Sequence, residues 1–205
     1  MNDKIIGFEN GPLEVDCAHA MFIQDGKKIE VKNLSHPCRC GKSKSKPFCD
    51  GSHVDAGFSD KKEISKEILQ TYKGKEITIN FNRSICAGAG KCVQGLASVF
   101  SLGNSQNWIF PDKGSNENII KTISACPSGA LSYSIDGKII LDTRSQAKVS
   151  IIKNGPYNVE GIKLKGMPIP TNFSETKYSL CRCGHSKNKP YCDYSHAEHN
   201  WNEQE

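Results

Sequence analysis

The chain has 205 residues, of which 37% are hydrophobic and 8% aromatic, and its formal net charge at pH 7 is +5. This length allows two or three small domains but supplies little apolar material for one large core. The basic residues gather around cysteine motifs instead of forming one face with base-stacking aromatics, and no stretch approaches the roughly 20 apolar residues that cross a bilayer, so we expect neither a nucleic-acid partner nor a membrane span.

Ten cysteines and six histidines offer another source of stability, because small domains without a large core are commonly held by disulfides or metals. The first ten residues lack the basic start and apolar run of a secretory signal. We therefore expect a cytoplasmic protein, in a reducing compartment where free thiols bind metal.

The first cysteine motif, C-x-C-x8-C-x3-H, consists of Cys38, Cys40, Cys49 and His53. In an extended chain, residues two apart point the same way, so the C-x-C pair presents both thiolates to one metal ion. On a helix, residues four apart are neighbours, which brings Cys49 and His53 together, and Asp50 suits the start of such a helix. A structural zinc site is the alternative, although zinc sites typically separate their paired cysteines by roughly two to four residues.

The segment that follows has the pattern of a small α+β domain, with strand-like alternation and helix-like spacing of apolar residues. The predicted elements, with the residues that indicate them, are a strand (Ile77, Ile79, Phe81), a helix (Val93, Leu96, Ala97, Phe100), a second helix (Ile119, Ile120, Ile123) and a hairpin of strands at 131–135 and 139–141. The second helix is expected to end near Cys126-Pro127, where proline discourages continuation.

Three cysteines of this segment, Cys86, Cys92 and Cys126, form a ferredoxin-like pattern from which one ligand is missing. In the C-x2-C-x2-C…C-P arrangement the second cysteine would stand at position 89, which is alanine. Free buried cysteines that act only as small hydrophobes are the alternative interpretation.

The first motif recurs near the C-terminus, where the same spacing is formed by Cys181, Cys183, Cys192 and His196. An Asn-Gly-Pro tripeptide precedes each copy, at 10–12 and 154–156, so the two ends are versions of one unit. We therefore place domains at residues 1–65, 66–143 and 144–205. Cys17 has no counterpart in the second copy, and we interpret it as a packing residue.

Both ends resemble the CDGSH iron–sulfur domain family (mitoNEET-like), through the pattern C-R-C-G-x-S-K-x-K-P-[FY]-C-D-x-S-H. The resemblance implies a [2Fe–2S] cluster at each end, with one iron on the C-x-C pair and the other on the third cysteine and the histidine. The second copy departs from the pattern at Tyr194, where the first has Gly51, which bears on backbone shape and solvent access at that point.

The middle segment resembles divergent single-cluster ferredoxin domains and the [3Fe–4S] ferredoxins, through C-x-G-A-G-x-C-V and the later Cys-Pro pair. This resemblance implies a [3Fe–4S] cluster on Cys86, Cys92 and Cys126, because Ala89 cannot bind a fourth iron. A [4Fe–4S] cluster with an unidentified or solvent fourth ligand is the alternative.

The expected fold is α+β, with two small β-rich CDGSH units, each with a short helix after its cluster loop, and a ferredoxin-like domain between them. Units of about 55 to 65 residues often need metals or association for stability. Because relatives of this family commonly form homodimers, we expect the two units to pack as an internal pseudo-dimer within a monomer, sharing strands near 28–31 and 161–164.

The expected function is one-electron transfer by a multi-cluster protein to an unidentified redox protein or enzyme. We expect no enzyme activity, since no catalytic constellation is visible. Cluster storage, cluster transfer or redox sensing through the histidine-ligated sites is the second hypothesis, because protonation of histidine competes with iron binding. A zinc-stabilised scaffold is the third.

Overall fold

The computed structural model describes residues 3–31, 33–102 and 107–204, which form thirteen strands and three short α-helices. The elements in chain order are β1 Lys4–Gly7, β2 Leu13–Asp16, β3 Met21–Gln24, β4 Lys27–Ile29, β5 Leu34–Ser35, β6 Leu69–Lys73, β7 Thr78–Asn82, α1 Lys91–Gly95, α2 Asn116–Ser124, β8 Leu131–Ile135, β9 Lys138–Ile140, β10 Lys148–Ile151, β11 Tyr157–Glu160, β12 Lys163–Leu164, β13 Lys177–Leu180 and α3 Ser195–Glu198. The described chain is therefore mostly sheet with few helices.

The strands form three sheets, two of which draw strands from both ends of the chain. The strand orders are β12-β1-β2-β5, β13-β11-β10-β3-β4 and β6-β7-β8-β9. The third sheet is antiparallel and belongs to the central segment alone. The terminal segments are therefore joined by backbone pairing, whereas the central segment has its own sheet.

Two parallel pairings join the terminal segments. In the first, β1 pairs with β12, and Ile5 lies opposite Leu164. In the second, β3 pairs with β10, and Phe22 lies opposite Val149. Phe22, Val149 and Ile5 are all buried in one core, so each pairing also removes apolar side chains from water.

The strand runs predicted to be shared between the terminal units are only partly correct. The run at 161–164 contains β12, which does pair with the other end of the chain. The run at 28–31 overlaps β4, but β4 pairs only with β3 of its own segment. The apolar Phe22 explains the difference, because it draws β3 into the core and leaves the lysine-rich β4 at the sheet edge.

The central segment follows its predicted pattern closely except at the first helix. The hairpin of β8 and β9 and the helix α2, with Ile119 and Ile123 buried, are confirmed. The first helix, α1, ends at Gly95, because Leu96 leaves the helical conformation with φ −153° and ψ 72°. Phe100 is nevertheless fully buried, since it forms a bridge with Ile109.

A helix follows only the second of the two terminal motifs. There, α3 begins at Ser195. After the first motif, residues 51–57 form a series of turns, so the prediction of a helix at that position is wrong. Gly57 has a φ value of +58°, which a right-handed helix does not accommodate.

None of the helices among the described residues has the length and apolar character needed to span a bilayer.

Candidate metal centres

The first terminal site, defined as Cys38, Cys40, Cys49 and His53, is assembled from two donor pairs. The Sγ atoms of Cys38 and Cys40 are 3.5 Å apart, and Cys49 Sγ lies 3.4 Å from His53 Nδ1. Two backbone hydrogen bonds hold the pairs side by side, from the Cys38 amide to the Pro47 carbonyl and from the Cys49 amide to the His36 carbonyl, each 2.8 Å long.

The two thiols of the C-x-C pair share a hydrogen bond, which changes the pKa of each. The hydrogen bond with the Cys40 thiol lowers the pKa of Cys38 to about 6, against the opposing effect of burial. The backbone N–H of Lys42 also points at Cys40 Sγ, at 3.5 Å. One thiolate of this pair is therefore stabilised before any metal binds, which favours metal binding near neutral pH.

Asp50 braces the ligand loop of the first terminal site. Its Oδ2 accepts a hydrogen bond from the Lys44 amide at 2.7 Å, and its Oδ1 accepts from both the amide and the hydroxyl of Ser52. These bonds, chiefly those with Ser52, hold the pKa of the Asp50 carboxyl well below its usual range. The sequence predicts a helix cap for this aspartate, whereas the structure uses it to tie the two halves of the loop together.

The second terminal site, Cys181, Cys183, Cys192 and His196, repeats this geometry. Its Sγ–Sγ separation is 3.7 Å, and Cys192 Sγ lies 3.3 Å from His196 Nδ1. Asp193 replaces Asp50 as the brace and accepts hydrogen bonds from Lys187 and Ser195. The hydrogen bond with Cys183 lowers the pKa of Cys181 to about 7.

The two terminal sites differ in burial. Cys192 is only 3% exposed and Ser195 is 4% exposed, whereas their counterparts Cys49 and Ser52 are half-buried. Burial raises the pKa of Cys192 far above its usual range and lowers the pKa of His196. The second site is therefore the more shielded from water.

The donor sets fit a centre with two metal ions. Two sulfur ligands on one tetrahedral ion, with metal–sulfur distances near 2.3 Å, lie about 3.8 Å apart. Both C-x-C pairs are within about 0.3 Å of this separation. All ten cysteines lie among the described residues and none forms a disulfide, so every thiol of these sites is free to bind metal.

The central site consists of Cys86, Cys92 and Cys126, which line one small pocket together with Ala89. Cys86 and Cys92 come from the loop before α1 and from its first turn, and Cys126 follows α2. Burial raises the pKa of Cys86 to about 11 and also raises the pKa of Cys92. The structure thus brings together the three predicted cysteines, with the alanine at the position where the fourth ligand of the pattern would stand.

Ser128 also lines this pocket and was not predicted from the sequence. Its hydroxyl lies 3.6 Å from Cys126 Sγ and accepts a hydrogen bond from the Ala130 amide at 3.4 Å. A serine two residues after a cysteine is too common a pattern to identify it from sequence.

Hydrogen bonds from Tyr157 and Arg39, neither of which is a candidate ligand, hold the first C-x-C loop in position. The hydroxyl of Tyr157 lies 2.8 Å from the carbonyl oxygens of both Cys38 and Pro47 and shares its single proton between them, although Tyr157 belongs to the opposite terminal segment. Arg39 is 4% exposed and donates to the Gly11 carbonyl at 2.6 Å and to Asp60 at 2.7 Å. The C-R-C pattern shows this arginine in both copies, but no signal in the sequence indicates Tyr157.

Cys17, interpreted from the sequence as a packing residue, is buried in the core with 4% exposure. Its sulfur lies within 4.8 Å of ligand atoms of Asp3 and His19. His19 Nε2 lies 3.2 Å from Asp3 Oδ2, and the two side chains form an ion pair when the histidine is protonated.

Two protein-family models match the chain. The model described as iron-binding zinc finger, CDGSH type, matches residues 10–54 and 154–197, and the model described as divergent 4Fe-4S mono-cluster matches residues 72–136. The matches place a cluster-binding family on each of the three candidate sites.

Among curated proteins, the uncharacterized protein YjdI of Escherichia coli K12 is 42% identical over 62 residues, which are 30% of this chain and 80% of YjdI. The protein of the same name in Escherichia coli O157:H7 matches equally. The CDGSH iron-sulfur domain-containing protein 2 homolog of Drosophila ananassae is 42% identical over 59 residues, which are 27% of this chain and 44% of that protein. No solved structure gives a significant match.

Proposed function

The chain belongs to the CDGSH iron–sulfur family through both terminal segments and to the divergent 4Fe-4S mono-cluster family through its middle, and from this premise we propose that it is a cytoplasmic one-electron carrier with three clusters. Domains of these types are typical of electron carriers and not of enzymes. We place their bounds at residues 1–65, 66–143 and 144–205.

The observation that carries this proposal is the pairing of donors at both terminal sites. Each site holds two sulfurs and, separately, one sulfur and one imidazole nitrogen, at separations of 3.3–3.7 Å. A [2Fe–2S] cluster at each site would supply reversible one-electron chemistry. The protein contributes the thiolates, the backbone N–H groups aimed at sulfur and the carboxylates that brace each loop.

For the central site we propose a [3Fe–4S] cluster on Cys86, Cys92 and Cys126, because Ala89 has no donor atom. A [4Fe–4S] cluster with a non-cysteine fourth ligand is the second candidate, and the description of the matching family favours it.

Metal and sulfide analysis of anaerobically prepared protein, with electron paramagnetic resonance, tests these assignments. We expect about seven irons per chain with a [3Fe–4S] centre and about eight with a [4Fe–4S] centre. A signal in the oxidised state identifies the odd-iron cluster. A colourless protein with stoichiometric zinc and no sulfide would contradict the proposal and support a zinc-stabilised scaffold.

Cluster storage, transfer or sensing is the second candidate function. The observation that favours it is the half-buried Cys49–His53 pair, because an accessible imidazole exchanges protons with solvent and loses its metal more easily than a thiolate does. Transfer from the loaded protein to an apo-ferredoxin, faster at acidic pH, would support this function over electron transfer.

We further propose that the terminal units form an internal pseudo-dimer. Three observations support it: β1 pairs with β12, β3 pairs with β10, and Cys40 and Cys183 form a backbone bridge. The pairings are reciprocal, because β1 and β10 occupy the same place in their respective units, and so do β3 and β12. Reciprocal contacts of this kind are typical of two-fold symmetry.

A further inference from the structure

The two terminal sites differ in the residue that stands two positions after the third cysteine, and in what surrounds that residue. After the third cysteine and its aspartate, the first copy has Gly51, and a Cβ at that position would meet no other atom within 4 Å. The second copy has Tyr194 there, in the left-handed conformation with φ +84°. Such a conformation is unfavourable for a bulky side chain, so something in the surroundings must stabilise it.

The contact that stabilises Tyr194 is with the cysteine loop of the central site. Its ring lies directly on Gly88, where a Cβ would overlap the ring carbons. Gly88 stands between Cys86 and Cys92, two ligands of the central site. The glycine is therefore required for the ring to approach the loop.

The same ring also contacts a candidate ligand of the second terminal site. The rings of Tyr194 and His196 are 5.6 Å apart between centroids and nearly perpendicular, at 78°. This is the edge-to-face geometry that aromatic pairs favour. One side chain thus touches the central cysteine loop and packs against the histidine of the second terminal site.

Two hydrogen bonds beside the ring hold the same pair of loops together. Arg83 Nη1 donates to the Asp193 carbonyl at 3.0 Å, and Asn188 Nδ2 donates to the Ser84 carbonyl at 2.7 Å. Asn188 is 1% exposed and stands where the first copy has the exposed Ser45. The contact between the central and second sites therefore depends on two residues that are particular to the second copy, Tyr194 and Asn188.

We propose that Tyr194 is a positioning residue that closes the second terminal site against the central site, so that the second site retains its cluster beside the central one while the first site exchanges with external partners. This division of roles rests on the proposed function, because it presumes a cluster at each site. The physical basis is access: the space at Gly51 is open, with no atom within 4 Å of a Cβ placed there, whereas the ring of Tyr194 packs edge-to-face against His196 in the more buried second site.

The test measures cluster loss from anaerobically prepared protein with an iron chelator at fixed pH, followed by the absorbance of the histidine-ligated centres. We expect two phases of equal amplitude in the wild type. Tyr194→Gly should accelerate the slow phase by about tenfold, toward the rate of the fast phase, and leave the fast phase unchanged. This variant should fold, because glycine favours the backbone conformation that Tyr194 adopts.

Three further variants separate shielding by the ring from other effects. Tyr194→Phe keeps the ring and should keep the slow phase. Gly88→Ala places a methyl group where the ring lies, and should therefore displace the ring and act like Tyr194→Gly. Gly51→Tyr places the same side chain where no central loop lies, and should leave the fast phase unchanged.

Amide hydrogen exchange of residues 86–92 gives a readout that does not depend on cluster loss. We expect faster exchange in Tyr194→Gly and wild-type exchange in Gly51→Tyr. The proposal is overturned by single-phase loss in the wild type, by an unchanged slow phase in Tyr194→Gly, or by Tyr194→Phe behaving like the glycine variant. A protein without iron and sulfide would instead refute the proposed function itself.

Discussion

Two residues, His53 and His196, would make a cluster at either terminal site chemically different from that of an all-cysteine ferredoxin. Each imidazole lies within 3.4 Å of a cysteine sulfur. A neutral imidazole in place of a thiolate makes a site one unit less negative, which favours the reduced state and raises the potential. Protonation adds positive charge, so the potential should rise further as the pH falls.

Replacing either histidine by cysteine should therefore lower the potential of that site and flatten its dependence on pH. The measurement is a redox titration at several pH values between about 6 and 9. In each single variant the other terminal site is the internal control and should keep its slope. An unchanged slope in the double variant would remove the histidines from the ligand sets.

At the central site, Ala89 lines the same pocket as the three cysteines. Ala89→Cys should therefore stabilise a [4Fe–4S] cluster, because it restores a thiolate at the usual spacing. Iron analysis and paramagnetic resonance should show one more iron per chain and loss of the odd-iron signal. Ala125→Cys is the matched control, since this exposed alanine lies next to Cys126 but outside the pocket lining. Equal iron counts and signals in the wild type and Ala89→Cys would place position 89 away from the cluster.

The loops that carry the two C-x-C pairs touch each other through glycines. A Cβ on Gly41 would overlap the Cys183 carbonyl, and a Cβ on Gly184 would lie equally close to the Cys40 carbonyl. Trp201 Nε1 donates to the Gly41 carbonyl at 3.4 Å and covers the contact. The two loops are thus a single packed element, and their close approach depends on the absence of two side chains.

Gly41→Ala should reduce the free energy of unfolding by about 3 kcal/mol or more, because overpacking adds to the cost of the left-handed conformation. Gly26→Ala is the control: its φ of +75° matches the +77° of Gly41, but nothing lies within 4 Å of its Cβ position. Gly26→Ala should lower the free energy of unfolding by only about 1–2 kcal/mol. Denaturant titration measures both values, and equal losses would show that the loops do not meet closely in solution.

The elements that follow local patterns could be predicted from the sequence, and those set by distant contacts could not. Ile119 and Ile123 identify α2 because helical spacing is a local signal. The end of α1 at Gly95 could not be predicted, since Phe100 continues the apolar spacing but is buried by its bridge to Ile109. The cysteines of the sites can be predicted from the sequence because their spacing along the chain is a local signal. The role of Tyr157 cannot be predicted in this way, because its hydrogen-bond partners lie more than a hundred residues away in the chain.

At the scale of the whole molecule, the central segment is attached unequally to the two ends. Lys177 of β13 is 2% exposed and its Nζ reaches the Ser124 carbonyl at 3.3 Å, just before Cys126. Gly129 packs on the Lys177 backbone, and Arg83 and Asn188 add hydrogen bonds to the second ligand loop. The central segment therefore makes the surroundings of the two copies different, which explains how a duplicated motif acquires two environments.

The final prediction is that the chain is a monomer in solution, because in the proposed internal pseudo-dimer one copy of the duplicated unit occupies the place that a second subunit would take. Ile5 and Phe22 of the first unit are buried beside strands of the second, and Tyr157 of the second holds the first ligand loop. An intramolecular partner at high effective concentration outcompetes a second chain. Light scattering should give 22.6 kDa at all protein concentrations. Phe22→Ala should lower the stability by about 3–5 kcal/mol without changing the oligomeric state, whereas the half-buried Ile23→Ala should cost less. An obligate dimer of twice this mass would contradict the internal pairing.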